Sequence, residues 1–221
     1  MRLKDLAEHL GLSQTTVSRA LNGYPEVNEA TRLRVAETAA RLGYRPNANA
    51  LRLATGRAGA IGMVLRGSSE FGPHTSEFLS GVGGRLAEEE MDIIVTTVQS
   101  YQDEVAAYRR IAASQKVDAI ILHSPTLHDE RAKLLLQLGI PFVLHGRTDI
   151  GTPLAWFDID NAGAMERATS HLLDLGHRRI ALLNGIKDRT FAVHRETGYR
   201  KALAARGITP DPALMSNSVF S

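Results

Sequence analysis

The stretch Leu3-Lys4-Asp5-Leu6-Ala7-Glu8-His9-Leu10-Gly11-Leu12-Ser13-Gln14-Thr15-Thr16-Val17-Ser18-Arg19-Ala20-Leu21-Asn22-Gly23 decides how the front of the chain is read. Leu3, Leu6, Ala7 and Leu10 recur at the spacing of one helix face and Gly11 ends the run, which predicts a helix over about Leu3 to Leu10. Ser13 can then act as an N-cap, its hydroxyl accepting an orphan backbone N–H. The second helix it opens carries Val17, Ala20 and Leu21 as its apolar stripe and stops at Asn22-Gly23. The short connection between the two helices leaves too little chain for them to lie side by side. Further along the chain, Asn28 caps a third predicted helix, roughly Glu29 to Leu42, with Leu33, Ala36 and Ala40 on one face and Gly43 after its end. Past Pro46, the segment Asn47 to Gly56 reads as a linker or a marginal helix, too short to be stable alone.

From Ala60 the pattern changes to short apolar, β-rich runs alternating with amphipathic helices. Strands are predicted at Ala60 to Leu65, Asp92 to Val98, Val117 to Leu122, Pro141 to Leu144, Leu154 to Ile159 and Arg179 to Leu183. Helices are predicted near Thr75 to Glu90, Gln102 to Ser114, Asp129 to Leu138, Ala162 to Leu175 and Phe191 to Ala205. Successive βα units build a parallel sheet with helices on both faces, so the expected fold is an α/β body behind a small all-α head. Ligands of such sheets bind outside the carboxyl ends of the strands. That rule selects residues 66–75, 123–124, 145–149, 158–161 and 184–191. No internal repeat or low-complexity tract interrupts the order.

Composition narrows the function classes. A chain of 221 residues, 43% apolar, can bury a real core, and its zero cysteines exclude disulfides, thiol catalysis, thiolate zinc sites and iron-sulfur clusters. No run of 18 apolar residues and no apolar signal core at Met1-Arg2-Leu3-Lys4-Asp5 is found, so no membrane partner and a cytoplasmic location are expected. The net charge of +2 is unevenly spread: residues 1–57 carry nine Lys and Arg against five Asp and Glu, and the remainder is mildly acidic. A basic block of this kind fits contact with a polyanion, and it also fits a solvated surface.

Enzyme readings fare poorly. Gly81-Val82-Gly83-Gly84 lies inside an amphipathic helical stretch and lacks the spacing of a phosphate-binding loop. Ser124 lacks the flanking glycines of a nucleophile elbow. The eight histidines are dispersed without metal-ligand spacing. No catalytic residue, metal site or cofactor is expected.

Gln14 and Thr15 at the start of the second helix, and Arg19 one turn on, are polar side chains where a helix-turn-helix reaches base edges, and Arg19 suits a bidentate contact to guanine. The same residues also suit the solvated face of a three-helix bundle. The run Leu3 to Gly23, followed by Val27-Asn28-Glu29-Ala30-Thr31-Arg32 and Leu42-Gly43-Tyr44-Arg45-Pro46-Asn47, closely resembles the head of the lactose-repressor and purine-repressor (LacI) family. The resemblance implies that Gln14, Thr15 and Arg19 read bases and that Ser13, Thr16, Asn22 and Tyr44 hold the phosphate backbone. It also implies that the segment after Pro46 is a hinge helix, folded on DNA against the same helix of a second subunit. Leu53 matches the leucine that such a helix wedges between base pairs in the minor groove, and Ala50 lies one turn earlier on the same face.

The resemblance continues through Ile61-Gly62, Val117-Asp118-Ala119-Ile120-Ile121-Leu122, Gly139-Ile140-Pro141-Phe142-Val143, Asp158-Ile159-Asp160-Asn161 and His171 to Ala181, landmarks of the family's periplasmic-binding-protein-like, doubly wound body. Such a body clamps a small molecule between two α/β subdomains, and closing the clamp changes DNA affinity. Arg195, Arg189 and Phe191 match effector-cleft positions. His74 and Thr75 stand where the family commonly has an aromatic pair. Ser124 follows the third strand, and Arg147 in His145-Gly146-Arg147 resembles the Gly-Arg of sugar-responsive members. The stretch Glu70 to Leu79 looks closest to the family's α-glucoside repressors. The implied division is a DNA-binding head at 1–45, a hinge helix or linker at 46–57, and effector-binding subdomains at 58–159 and 160–221, the second incomplete because family members run longer. The implied function is a homodimeric repressor of carbohydrate-utilisation genes, bound to a pseudopalindromic double-stranded DNA operator and controlled by a small carbohydrate effector. The competing reading is a sugar-binding receptor module without a DNA role.

Overall fold

The structure, a computed structural model, describes residues 1–44, 56–67 and 72–217. The chain forms two compact units, Met1–Arg57 and Ala58–Ser221. In the first, helices α1 (Leu3–Leu10), α2 (Gln14–Leu21) and α3 (Glu29–Arg41) close around Leu6, Ala7, Val17, Ala20, Val27, Val35 and Ala39. Gly11, at φ 65°, turns the chain out of α1 through a left-handed conformation that glycine adopts without a side-chain penalty. Ser13 Oγ accepts from the Thr16 N–H at 3.0 Å to start α2, and Asn28 Oδ1 accepts from the Thr31 N–H at 2.8 Å to start α3. Arg34 Nη2 donates to the Leu10 carbonyl at 2.9 Å, tying α3 to the open end of α1.

The third helix turns a different face inward from the expected one. Val35, Thr38 and Ala39 are buried, whereas Leu33 is 57% exposed and Ala36 and Ala40 face solvent. The segment carries two apolar stripes on nearly opposite sides of the helix, and periodicity alone does not rank them. Compact Val35 and Ala39 fit against the α1–α2 pair, so the longer Leu33 is left outside.

In the second unit, β1 (Ala60–Arg66), α4 (Pro73–Glu88), β2 (Asp92–Val98), α5 (Tyr101–Ser114), β3 (Ala119–His123), α6 (Glu130–Gln137), β4 (Phe142–His145) and β5 (Trp156–Phe157) follow one another. Their strands form a parallel sheet in the order β2-β1-β3-β4-β5, with Gly62 opposite Ile94 and Ile120, and Leu122 opposite Leu144. The strand order reverses at β1, which opens a crevice beyond the carboxyl ends of β1 and β3. Met63 and Leu65 on one side of β1 are buried, and so is Val64 on the other. Val64, Ile120, Leu122 and Leu144 pack with Tyr108 of α5 and Leu135 of α6. Asp118 pins the entry to β1, its carboxylate accepting from the Ala58 and Gly59 N–H groups at 2.7 and 2.8 Å.

Helix α7 (Asn161–Asp174), β6 (Leu182–Asn184), α8 (Thr190–Ala204), a short 3₁₀ turn (Pro212–Leu214) and β7 (Met215–Asn217) complete the described chain. Two strand expectations need correction here. The run Leu154 to Ile159 yields only the two-residue β5, because β5 is the edge of the sheet and pairs solely through Leu144 with Trp156 and His145 with Phe157. The run Arg179 to Leu183 yields Leu182–Asn184, which pairs with the unexpected β7 in a separate two-stranded sheet rather than extending the first. The Ile180 carbonyl is taken by the Tyr199 hydroxyl at 2.8 Å instead of by a strand neighbour. Around it, Leu173, Leu182, Tyr199, Ala202 and Leu203 form a second core. Helices α7 and α8 meet backbone to backbone at Gly198, where any Cβ would overlap the Ala162 carbonyl.

Candidate nucleic-acid interface and ligand cavity

In the first unit, Gln14, Thr15 and Arg19 are exposed on α2, and together with Ser18, Asn22, Leu3 and Tyr24 they line a groove in the head's surface. Four of the expected contact residues, Gln14, Thr15, Arg19 and Asn22, are thus gathered on one face. Asn22 is oriented from behind, its Nδ2 donating to the Ser18 carbonyl at 2.9 Å. Ser13 and Thr16 stand at the helix start with their hydroxyls 2.9 Å apart, and Tyr44 packs against the head's core, where burial raises its phenol pKa. Ser18 and Tyr24 were not singled out from the sequence. Ser18 lies one helical turn from Gln14 and Thr15 and could have been reached from spacing alone. Ala50 and Leu53 lie outside the described residues.

The second unit carries a cavity of about 480 Å³ beyond the carboxyl ends of its strands. Of the expected effector residues, His74, Thr75, Ser124, Arg189, Phe191 and Arg195 line it. Arg147 does not. Its Nε sits 3.2 Å from Asp158 Oδ2 and its guanidinium stacks 4.1 Å above the Trp156 ring. Asp158 does line the cavity, and its Oδ1 accepts from Asn161 Nδ2 at 3.1 Å, while Asn161 Oδ1 accepts from Arg195 Nε at 3.0 Å. Arg147 therefore touches the cavity only through a relay that ends on Arg195, which also lies 4.9 Å over the Phe191 ring. Burial lowers the Arg195 pKa, and Asp158 opposes that shift.

The loop after β3 joins the two halves of this unit. Arg189 Nη1 donates to the Ser124 carbonyl, and the Thr190 N–H and hydroxyl both donate to the Pro125 carbonyl, at 3.0 and 3.2 Å. Arg131 Nη2 donates to the His123 and Ser124 carbonyls at 3.3 and 3.2 Å. Ser124 holds a left-handed φ of 50°, which costs of the order of 1 kcal/mol or more, and the two guanidinium groups on its carbonyl offset that strain.

Three histidines share the cavity wall. His123 Nδ1 and His145 Nδ1 are 3.0 Å apart, and the His145 ring stacks on Phe78 at 4.2 Å with His74 6.0 Å away. Burial, then the neighbouring His145, His74, Arg189 and Arg131, push His123 down to about 3. Burial and His74 lower His145, against a smaller opposing pull from Asp158. Both histidines fall within the strand-end ranges read from the sequence, as do Asp158 and Asn161, but nothing local marked them apart from their neighbours. Pro125 lies outside those ranges. Among the described residues no group of three or more His, Asp or Glu is arranged to hold a metal ion, and no helix is long and apolar enough to cross a membrane.

Comparison with known proteins adds to this geometry. Residues 2–47 match the family model described as bacterial regulatory proteins, lacI family, and residues 58–219 match the periplasmic binding proteins and sugar binding domain of LacI family. The chain is 46% identical to the HTH-type transcriptional regulator AglR of Rhizobium meliloti over 100% of its own length and 63% of that protein's. It is 38% identical to the HTH-type transcriptional regulator RafR of Escherichia coli over 97% of its length and 64% of RafR. Among solved structures, the transcriptional regulator CelR–cellobiose complex superposes with a TM-score of 0.67 at 32% identity, covering 100% of this chain and 66% of that one. The chain thus spans less than two thirds of the length of AglR and RafR.

Proposed function

We propose, from the premise that this chain belongs to the LacI family of bacterial regulatory proteins, that it is a DNA-binding transcriptional repressor whose operator affinity is set by a small carbohydrate. The observation that carries the reading is the presence, in one chain, of an exposed polar recognition face (Gln14, Thr15, Arg19) and a cavity lined by hydrogen-bonding side chains (His74, Thr75, Asn161, Arg195). Neither an enzyme nor a receptor without a DNA role calls for both.

In this reading residues 1–45 are the DNA-binding head, 46–57 the hinge, and 58–159 and 160–221 two effector-binding subdomains. Ser13, Thr16, Asn22 and Tyr44 hold phosphates while Gln14, Thr15 and Arg19 choose bases. Leu53 and Ala50 serve the minor groove in a hinge formed by two copies of the chain. A homodimer on a pseudopalindromic operator follows from the symmetry of two identical heads on two half-sites. The effector is a neutral sugar, for which the cellobiose-bound CelR relative is the supporting comparison, and the likeness of the stretch Glu70 to Leu79 to the family's α-glucoside repressors points to an α-glucoside rather than to a β-linked sugar such as cellobiose. The protein acts in the cytoplasm and catalyses no reaction. Arg147 acts on the sugar indirectly, by holding Asp158 and so the Asn161–Arg195 pair.

The test is selection of binding sites from random duplex DNA, followed by fluorescence anisotropy on the enriched sequence with and without maltose, trehalose or sucrose. A repressor gives salt-dependent, sequence-selective binding that one of these sugars alters. Enrichment of no sequence would overturn the DNA role.

A further inference from the structure

The cavity wall holds an arrangement that the functional reading has not used. Nδ1 of His123 and Nδ1 of His145 face each other at 3.0 Å, a hydrogen-bond distance between two like atoms. A proton must lie on one of them and not on the other. In a neutral imidazole the nitrogen opposite a protonated Nδ1 is an acceptor, and the nitrogen opposite a bare Nδ1 is a donor. The bridge therefore fixes opposite tautomers in the two rings, and leaves one Nε2 as a donor and one as an acceptor.

Both rings line the cavity. Neither Nε2 has a hydrogen-bond partner among the described residues, and neither is among the buried polar atoms left unpartnered, so both remain open to solvent. The rings cannot rearrange freely. His145 is stacked on Phe78 at 4.2 Å with an angle of 11°, and β3 and β4 hold His123 opposite His145 in sheet register.

The charges facing the pair oppose its protonation. His74 from the start of α4, Arg66 at the end of β1, Arg131 from α6, and Arg189 and Arg195 around the start of α8 are all basic. Among the described residues lining this wall the one carboxylate, Asp158, is already paired with Arg147. If a proton were added, the N–H···N bridge would survive but both Nε2 atoms would become donors. The acceptor would be lost.

From this we infer that His123 and His145 form a neutral, tautomer-locked pair that reads two hydroxyl groups of the cavity's occupant, one as donor and one as acceptor. The inference rests on the carbohydrate reading of the same cavity and deepens it. A vicinal diol matches such a pair, because each hydroxyl can both donate and accept. A ligand offering two acceptors, such as a carboxylate, does not.

Long-range ¹H–¹⁵N spectra of the full chain labelled at histidine test the pair directly, with His123→Phe and His145→Phe for assignment. The expected result is one Nδ1–H ring and one Nε2–H ring between pH 6 and 8. Maltose, trehalose and sucrose serve as probes, with binding scored independently by the rise in Tm. A binding sugar should shift both Nε2 resonances, and either substitution should weaken it roughly tenfold or more. Identical tautomers in the two rings, or a sugar that binds without moving either Nε2 signal, would overturn the pair while leaving the carbohydrate reading in place. Opposite tautomers with no sugar raising Tm would instead overturn the carbohydrate reading, and the pair's recognition role with it.

Discussion

Arg131 Nη1 donates to Glu104 Oε1 at 2.7 Å, and both side chains are sealed from solvent. The same guanidinium binds the Asp129 carboxylate at 2.7 Å, and the Tyr108 hydroxyl completes the cluster on Glu104 at 3.3 Å. Burial alone would raise the Asp129 pKa, but the hydrogen bonds and charge of Arg131 hold it below the usual carboxylate range. Burial also raises the Tyr108 phenol. Removing the guanidinium strands two buried carboxylates, so Arg131→Ala should destabilise the body by about 3–5 kcal/mol. Urea denaturation followed by fluorescence measures this, and a loss under 1 kcal/mol would mean that water replaces the side chain.

His123 links stability to pH. With its pKa lowered from 6.5 to about 3 in the folded chain, only the unfolded state takes up this proton between those values. Stability is therefore full above pH 6.5 and falls on acidification by roughly 1.4 kcal/mol per pH unit from this group, levelling off near the folded value. Denaturation at pH 8, 6, 5 and 4 should show a shallower acid slope in His123→Phe than in the parent. Equal slopes would place the histidine in a solvated, ordinary environment.

Gly198 carries the closest approach of α7 and α8. Because a Cβ there would meet backbone atoms of Ala162 and Glu166, not a yielding side chain, Gly198→Ala should cost about 1–3 kcal/mol. A lowered Tm is the readout. An unchanged Tm would show that the helices separate without penalty.

Arg19 stands exposed on α2 one turn after Gln14 and Thr15. Arg19→Ala should weaken binding to the selected duplex by roughly 1–3 kcal/mol and relax preference at a single base pair. If every sequence, matched or not, loses the same affinity, the arginine contacts phosphate instead.

Arg195 is held by Asn161 and Phe191 at the cavity wall. Arg195→Ala should leave operator binding intact and abolish its response to sugar, as read by anisotropy across a sugar titration. A response of normal midpoint and amplitude would remove Arg195 from the site.

Much of this molecule was legible from residue order. The caps Ser13 and Asn28, and the position of the cavity beyond the strand ends, follow from local chemistry and from the topology of a parallel sheet. What failed did so where local pattern was degenerate. The inward face of α3 went to Val35 and Ala39 instead of Leu33, and the run around Trp156 formed a strand only as long as its one neighbour allowed. Arg147 shows the same limit within the site: its residue type was visible, but its commitment to Asp158 and Trp156 depended on where those two side chains lay.

Residue order alone was enough for the helix-turn-helix head and for the alternation of strands and helices, because these depend on spacing, capping and turn chemistry within a few positions. It took the folded chain to settle which of two stripes is buried, that β6 leaves the main sheet to pair with β7, and that the Nδ1 atoms of His123 and His145, 22 positions apart in sequence, come within 3.0 Å of each other. Those outcomes turn on which surfaces come within van der Waals or hydrogen-bond distance, and that is settled by packing among segments distant in the chain.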